Sequence, residues 1–382
     1  MADAPVQLIP GDAAKGGPKP GIGLCLSGGG YRAMMFHVGV VWRLYESGVL
    51  KKIDRISSVS GGSITSGLLG LKWRELSFDP AKLKNDFIPK VVAPLRELAG
   101  ETLDVEAVLV GLFLPGSISD RVVGAYKEHL YGDKTLQDLP DQPRFIFNAT
   151  NIQTGVLWRF AKPYMRDYLV GEVKNPTIPL AKAVAASSAF PPVLSPVEMR
   201  LDPKSFTPNS GKLQRKPFTS KVMLGDGGIY DNLGLETVWK RYHTVLVSEA
   251  GTKLETEEEP NRDWARHSYR VLNLIDSQVR ALRKRQVIGS YTANPADANH
   301  RKGAYWGIRA DIANYQLPNT LPCPLARTGK LAETPTRLER MDDDLQERLI
   351  NWGYAISDAA LRKHVDPAIA APAAFPYPGS PV

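Results

Sequence analysis

Three short stretches hold residues whose types and spacing suit chemistry. "SGGGYRA" at 27–33 sets Gly28, Gly29 and Gly30 between an apolar run and an amphipathic pattern. "SVSGGS" at 58–63 sets Ser60 ahead of Gly61 and Gly62, again at the end of an apolar run, and "DGG" at 226–228 sets Asp226 ahead of two glycines. A glycine turn after a strand presents backbone N–H groups that can hold either a dinucleotide's phosphates or the negative oxygen of a reacting ester. A serine on a sharp strand-to-helix turn projects its hydroxyl from the sheet edge. A carboxylate at a strand end can take that hydroxyl's proton and return it to a leaving group.

Gly28-Gly29-Gly30-Tyr31-Arg32-Ala33 fits the dinucleotide pattern G-x-G-x-x-A. That reading also needs an acidic residue at the end of the second strand to hold ribose hydroxyls. The second strand, "RISSVS", ends in serine and glycine, and Asp54 stands at its start, away from the ligand crevice. Acyl transfer fits better. Ser60 is then the nucleophile, Asp226 the base, and Gly28, Gly29 and Gly30 the oxyanion hole. Ser58 departs from the usual G-x-S-x-G by standing where the first glycine belongs. Arg32, in the first turn of the following helix, either steadies the loop or binds a substrate phosphate. His37 falls on the apolar face of its helix, and His129, His243, His267, His300 and His364 have no motif around them, so none reads as the base. No cluster with metal-ligand spacing is visible, and this chemistry needs neither metal nor cofactor.

Elements that could position these groups follow from periodicity. Gly21 to Ser27 reads as a strand, and Met34, His37, Val38, Val41, Leu44 and Tyr45 recur at helical spacing behind it. Arg55 to Val59 reads as a second strand, running into a small-residue-rich helix. Strand, helix, strand, turn, helix implies a parallel sheet whose carboxyl edge carries both turns. "RFIFNATN" and "VLWRFA" read as two strands joined by a turn, "IPLAKAVAASSAFPP" as a helix stopped by prolines, and "KVMLGD" and "HTVLVSEAG" as further strands. Beyond Gly251 the composition changes. Acidic residues at 255–259 precede a long amphipathic helix from about Arg262, with Tyr269, Leu272, Ile275, Val279 and Leu282 in one stripe. That stripe is expected to pack on the domain, leaving the arginines as a charged face. One more helix is expected over about 342–364.

The 382 residues, 43% hydrophobic and 23% charged, suit a globular chain with a full core. Two cysteines, Cys25 and Cys323, exclude a disulfide scaffold and fit a reducing compartment. No apolar run approaches about 18 residues, and residues 1–20 lack the pattern of a signal peptide, reading instead as a flexible tail. A formal charge of +8 favours anionic partners without choosing among nucleic acid, membrane surface and phosphate-bearing substrate.

Taken together, "SGGGYRA", "SVSGGS" and "DGG", in this order and spacing, resemble the patatin-like phospholipase family. "YGDKTLQDLP", "FNATNIQTG" and "AASSAFPPVLSP" resemble that family's connecting sequence, and the arginine of "GGGYR" with the second glycine of "SGGS" is similar to the cytosolic phospholipases. The resemblance covers residues 21–251. It implies a three-layer α/β/α fold with a mainly parallel central sheet, and a Ser60–Asp226 dyad with no catalytic histidine. It also implies hydrolysis of an acyl ester in a phospholipid or lysophospholipid through an acyl-enzyme. Residues 252–382 are expected to form a helical extension that packs on or caps this domain. The apolar stretch 109–114 is a candidate cap over an acyl-chain channel, with core packing as the alternative. A cytoplasmic chain without nucleic-acid partners is expected, with peripheral contact to an anionic membrane as a candidate. The alternatives are a soluble esterase for smaller substrates and a slow lipid-binding protein.

Overall fold

The computed structural model describes residues 17–103, 118–191 and 194–382; the stretch 109–114 and most of the N-terminal tail lie outside them. The strands are β1 (Lys19–Leu26), β2 (Arg55–Ser58), β3 (Arg144–Asn151), β4 (Val156–Ala161), β5 (Tyr164–Asp167), β6 (Gly171–Lys174), β7 (Val197–Arg200), β8 (Lys221–Asp226), β9 (Tyr242–Glu249) and β10 (Lys302–Gly307). They form one mixed sheet in the order β10-β9-β1-β2-β3-β4-β5-β6. The five strands from β10 to β3 are parallel, and β4, β5 and β6 continue from them antiparallel.

Parallel strands covered on both faces read as continuous apolar runs. β1 shows why: Leu24 and Leu26 join the main core on one face, while Cys25 joins Val245, Val247 and Val287 on the other. Five helices frame the site: α1 (Gly30–Glu46), α2 (Gly61–Lys72), α3 (Leu180–Ser187), α4 (Trp264–Thr292) and α5 (Asp343–His364). The first three and α5 supply the main core, and the last turns of α4 cover the opposite face. The expected three layers are therefore present.

The C-terminal region is not only helical, because β10 extends the sheet beside β9. Helix α5 packs so closely on α1 that a Cβ on Gly39 would lie 1.9 Å from the Ile350 carbonyl oxygen, and one on Gly353 1.9 Å from that of Phe36. Asp358 of α5 pairs there with Arg43 at 2.7 Å and with Arg362 at 2.8 Å.

Helix α4 corrects one expectation. Its apolar stripe does not pack on the domain: Leu272 is 59% exposed, Leu282 60% and Trp264 84%, with Tyr269 and Ile275 also exposed. Arginines hold the helix instead. Arg283 reaches Glu236 at 3.3 Å, Arg270 reaches Glu257 at 2.6 Å, and Arg280 donates to the Thr252 carbonyl. The physical reason is the surface opposite, which offers carboxylates and carbonyls that only the charged face can satisfy.

One feature of the sheet positions the site. β3 pairs with β4 over Phe147–Asn151, which occupies one edge of that strand. β2 pairs with β3 only as far as Phe147, and β8 pairs antiparallel with Ala149–Asn151. Both must use the other edge. They approach along the same lane from opposite directions, and their ends meet.

Candidate active site

β2 ends at Ser58 and α2 begins at Gly61, so the chain must turn sharply between them. Ser60 takes φ 50° and ψ −121°, a conformation that costs about 1–3 kcal/mol in a residue with a side chain. The surroundings over-determine it. Its N–H donates to the Ser187 carbonyl at 3.2 Å and to Ser187 Oγ at 3.1 Å, and its carbonyl accepts from Ser63 at 2.7 Å and Ile64 at 3.1 Å. Gly61 follows because a Cβ there would stand 2.1 Å from the Gly30 carbonyl oxygen. Ser58, the departure from the usual motif, has its own task. Its buried hydroxyl accepts from Ser66 Oγ at 2.6 Å and Ser63 Oγ at 3.0 Å, tying the strand to α2.

The glycine turn lies beside it. Gly29 at φ 143° and Gly30 at φ 60° occupy the positive region where a side chain is strained. The three glycines are not equivalent. The Gly28 N–H donates to the Asn232 carbonyl at 3.2 Å, and the next N–H after Gly30, that of Tyr31, donates to the Arg337 carbonyl at 3.0 Å. Among the described residues no acceptor meets the N–H of Gly29 or Gly30, and both residues line the cleft that holds Ser60. The donor set open to a ligand is thus Gly29 and Gly30, narrower than the three expected.

Asp226 arrives at the end of β8. Its N–H donates to the Ala189 carbonyl at 2.8 Å, and its own carbonyl accepts from Thr150 Oγ1 at 2.8 Å, which fixes the backbone on both sides. The carboxylate accepts from the Gly228 N–H at 2.6 Å, and the Ser60 hydroxyl acts on it from close by. Burial pushes its pKa up from 3.8 to about 7; the Gly228 N–H and the Ser60 hydroxyl oppose the rise, and Asp276 on α4 adds to it. A carboxylate that titrates near neutrality beside a serine hydroxyl is matched to taking and returning a proton.

No histidine lines the cleft among the described residues. His37 is buried elsewhere in α1, with Nε2 2.9 Å from the Ser27 carbonyl and Nδ1 2.9 Å from Ser248 Oγ. Since the carbonyl only accepts, Nε2 carries the proton and Nδ1 accepts from the serine. Burial lowers its pKa to about 4, so it stays neutral, a fastener between helix and strand.

Arg32 resolves as a brace. It is fully buried and donates to the Ala250 carbonyl from Nε at 3.1 Å and from Nη2 at 2.8 Å. It also donates to Thr252 Oγ1 at 3.0 Å, Thr336 Oγ1 at 2.9 Å and the Thr334 carbonyl. These bonds join the turn at Gly29 to two loops of the C-terminal region. Burial lowers its pKa to about 10, and the guanidinium stays charged.

The cleft has a volume of about 1130 Å³. Gly29, Gly30, Ser60 and Asp226 line it along with Phe190, Leu194, Tyr269 and Asn273 of α4, and residues 336–338. Residues that sequence reasoning missed are Asn232, Asp276 and Arg337. Asn232 stands six positions after Asp226 in the same Gly-rich stretch, which was a usable signal. Asp276 and Arg337 sit in the C-terminal region with no motif around them.

The patatin-like phospholipase family model matches residues 24–239, and the chain belongs to that family. The matched span holds Ser60, Asp226 and the glycine turn. No curated protein matches its sequence. Among solved structures, human GIVD cytosolic phospholipase A2 is similar at TM-score 0.52 and 13% identity, over 90% of this chain and 61% of that one. The same protein in complex with methyl gamma-linolenyl fluorophosphonate aligns at TM-score 0.50 and 13% identity, over 89% of this chain and 57% of that one. This chain thus spans about three-fifths of the length of that relative, and the likeness is one of fold.

Proposed function

We propose that the chain hydrolyses carboxylic esters of phospholipids or lysophospholipids through an acyl-enzyme on Ser60. Asp226 takes the proton of Ser60 Oγ as the oxygen attacks the ester carbonyl carbon. The carbonyl oxygen becomes negative and accepts from the N–H groups of Gly29 and Gly30, where one such donor typically contributes about a hundred- to a thousandfold in rate. Collapse breaks the ester bond, and Asp226 returns the proton to the departing alcohol oxygen. Water then attacks the acyl-serine as Asp226 takes its proton, the bond from the acyl carbon to Ser60 Oγ breaks, and Asp226 passes the proton to Ser60 Oγ, which regenerates the serine and releases the fatty acid. The observation that carries this reading is a strained serine beside a buried carboxylate poised near neutrality, next to two N–H donors that meet no acceptor among the described residues. Asp226 serves directly as base because no histidine stands among the described lining residues.

The substrate class draws support from exposed apolar groups near Asp226 and along α4. Phe190, Ile152 and Ile229 are exposed, and Ile152 and Ile229 both approach Gly225 just before Asp226. Helix α4 forms one wall of the cleft and leaves Leu272, Ile275 and Leu282 exposed, with Arg262, Arg266, Lys284 and Arg285 also exposed. An apolar strip with flanking cations suits peripheral contact with an anionic lipid surface. No helix among the described residues is long and apolar enough to cross a membrane.

A fluorophosphonate probe tests the nucleophile. It should label the wild type and leave Ser60→Ala unlabelled, with loss of lipid hydrolysis in the variant. Labelling that persists in Ser60→Ala overturns the assignment.

A further inference from the structure

Among the described residues, five cationic ones line the cleft: Lys253, Arg266, Arg270, Arg280 and Arg337. Two are engaged. Arg270 pairs with Glu257 at 2.6 Å and donates to the Glu255 carbonyl at 3.2 Å, and Arg280 pairs with Asp276 at 3.0 Å while donating to the Thr252 carbonyl. Arg32 lies behind the glycine turn with its donors taken by five bonds. Arg337 differs from all of these. Its side chain is 60% exposed, and its carboxylate partner, Glu339, is 3.9 Å away, at the limit of an ion pair. Its backbone is nonetheless fixed against the reacting centre. The Arg337 carbonyl accepts from the Tyr31 N–H at 3.0 Å, and a Cβ on Gly30 would lie 2.5 Å from that carbonyl oxygen. The Arg337 backbone is therefore fixed at the glycine turn, at a residue that lines the cleft, while its side chain is exposed and weakly paired.

Resting on the Ser60 reading above, we propose that Arg337 binds the phosphate of the substrate and selects phosphate-bearing lipid esters over neutral ones. Guanidinium matches phosphate in planar, two-pronged hydrogen bonds, a geometry that a lysine ammonium does not reproduce. A rigid backbone with an open fork suits a ligand whose ester and phosphate are a fixed few bonds apart. Neither Lys253 nor Arg266 has a backbone bond to the glycine turn, and 74% of the Arg266 side chain is exposed.

The test uses the full chain and two substrates dissolved as monomers, dihexanoylphosphatidylglycerol and dihexanoylglycerol, so that surface binding plays no part. Arg337→Gln should raise KM for the phospholipid relative to the neutral ester by about tenfold, the effect of one lost charge-assisted hydrogen-bonding group. Arg337→Lys should recover part of that ratio, and Arg266→Gln and Lys253→Gln should move it less. The same ratio is read as binding of dihexanoylphosphatidylglycerol by calorimetry in Ser60→Ala and in Ser60→Ala with Arg337→Gln. That arm does not need turnover, so a failure of the hydrolase reading is told apart from a failure here. An equal loss for both substrates, no change in the ratio, or a larger change from Arg266→Gln or Lys253→Gln overturns the proposal.

Discussion

Asp226→Asn separates the two consequences of burying the carboxylate proposed as base. Asparagine keeps the shape and can still accept from Gly228, but it cannot take a proton from Ser60, so hydrolysis should be lost. Stability should move the other way. The folded pKa of Asp226 is raised from 3.8 to about 7 by burial. A raised pKa means the folded state favours the neutral acid. The stability tied to that preference is complete below about pH 4, falls as pH rises, and is gone above about 7. At about 1.4 kcal/mol per tenfold change in proton affinity, the displacement amounts to about 4 kcal/mol in full. Between pH 4.5 and 8 the wild type should lose about 3 kcal/mol relative to Asp226→Asn. Urea unfolding of both proteins at several pH values in that range measures it, with Asp226→Asn the more stable at pH 8. The wild-type kcat/KM should fall about tenfold per pH unit below about 7, because the same group must be ionised to act as base. Stability curves that stay parallel across the range would refute the reasoning, as would an acid limb near pH 4.

Other outcomes follow from the geometry. Gly30→Ala puts a Cβ at φ 60° and 2.5 Å from the Arg337 carbonyl oxygen, so the oxyanion turn must shift. Its kcat should drop by about a hundredfold, as checked by steady-state kinetics, with a lowered urea midpoint from about 1–2 kcal/mol of backbone strain. Combined replacement of Leu272, Ile275 and Leu282 by glutamine should reduce sedimentation with anionic vesicles while leaving turnover of a monomeric ester within about twofold. Gly39→Ala should destabilise the α1–α5 contact by about 2 kcal/mol or more, read by thermal unfolding, since the Ile350 carbonyl cannot give way without moving a buried helix.

Much of the site was legible because its signals are local. A strand that runs into glycines and then a helix announces its own turn, and parallel order puts the turns after β1 and β2 on one edge. That reasoning places Gly28 to Gly30 and Ser60 without coordinates. It also picks out Asp226, since two glycines behind a strand-end carboxylate signal close approach. It could not rank the three glycines, because the Gly28 N–H is engaged by a carbonyl 204 positions further along, at Asn232. Arg32 was ambiguous for the same reason: its partners Thr334 and Thr336 lie 302 and 304 residues away.

Helix α4 shows a different limit. Periodicity reveals that a helix has two faces, but not which one the protein will take. Here carboxylates and carbonyls at Glu236, Glu257 and Thr252 took the charged face, and the apolar face was left outward.

The amino-acid order alone therefore determined the chemistry available: a strained serine, a strand-end carboxylate, a glycine turn and an α/β frame to carry them. Only the tertiary structure decided their meeting. Ser60 and Asp226 come together because β2 and β8 share one edge of β3 and end head to head, one parallel and one antiparallel. Strand direction and lane are set by long-range pairing, which no local pattern encodes.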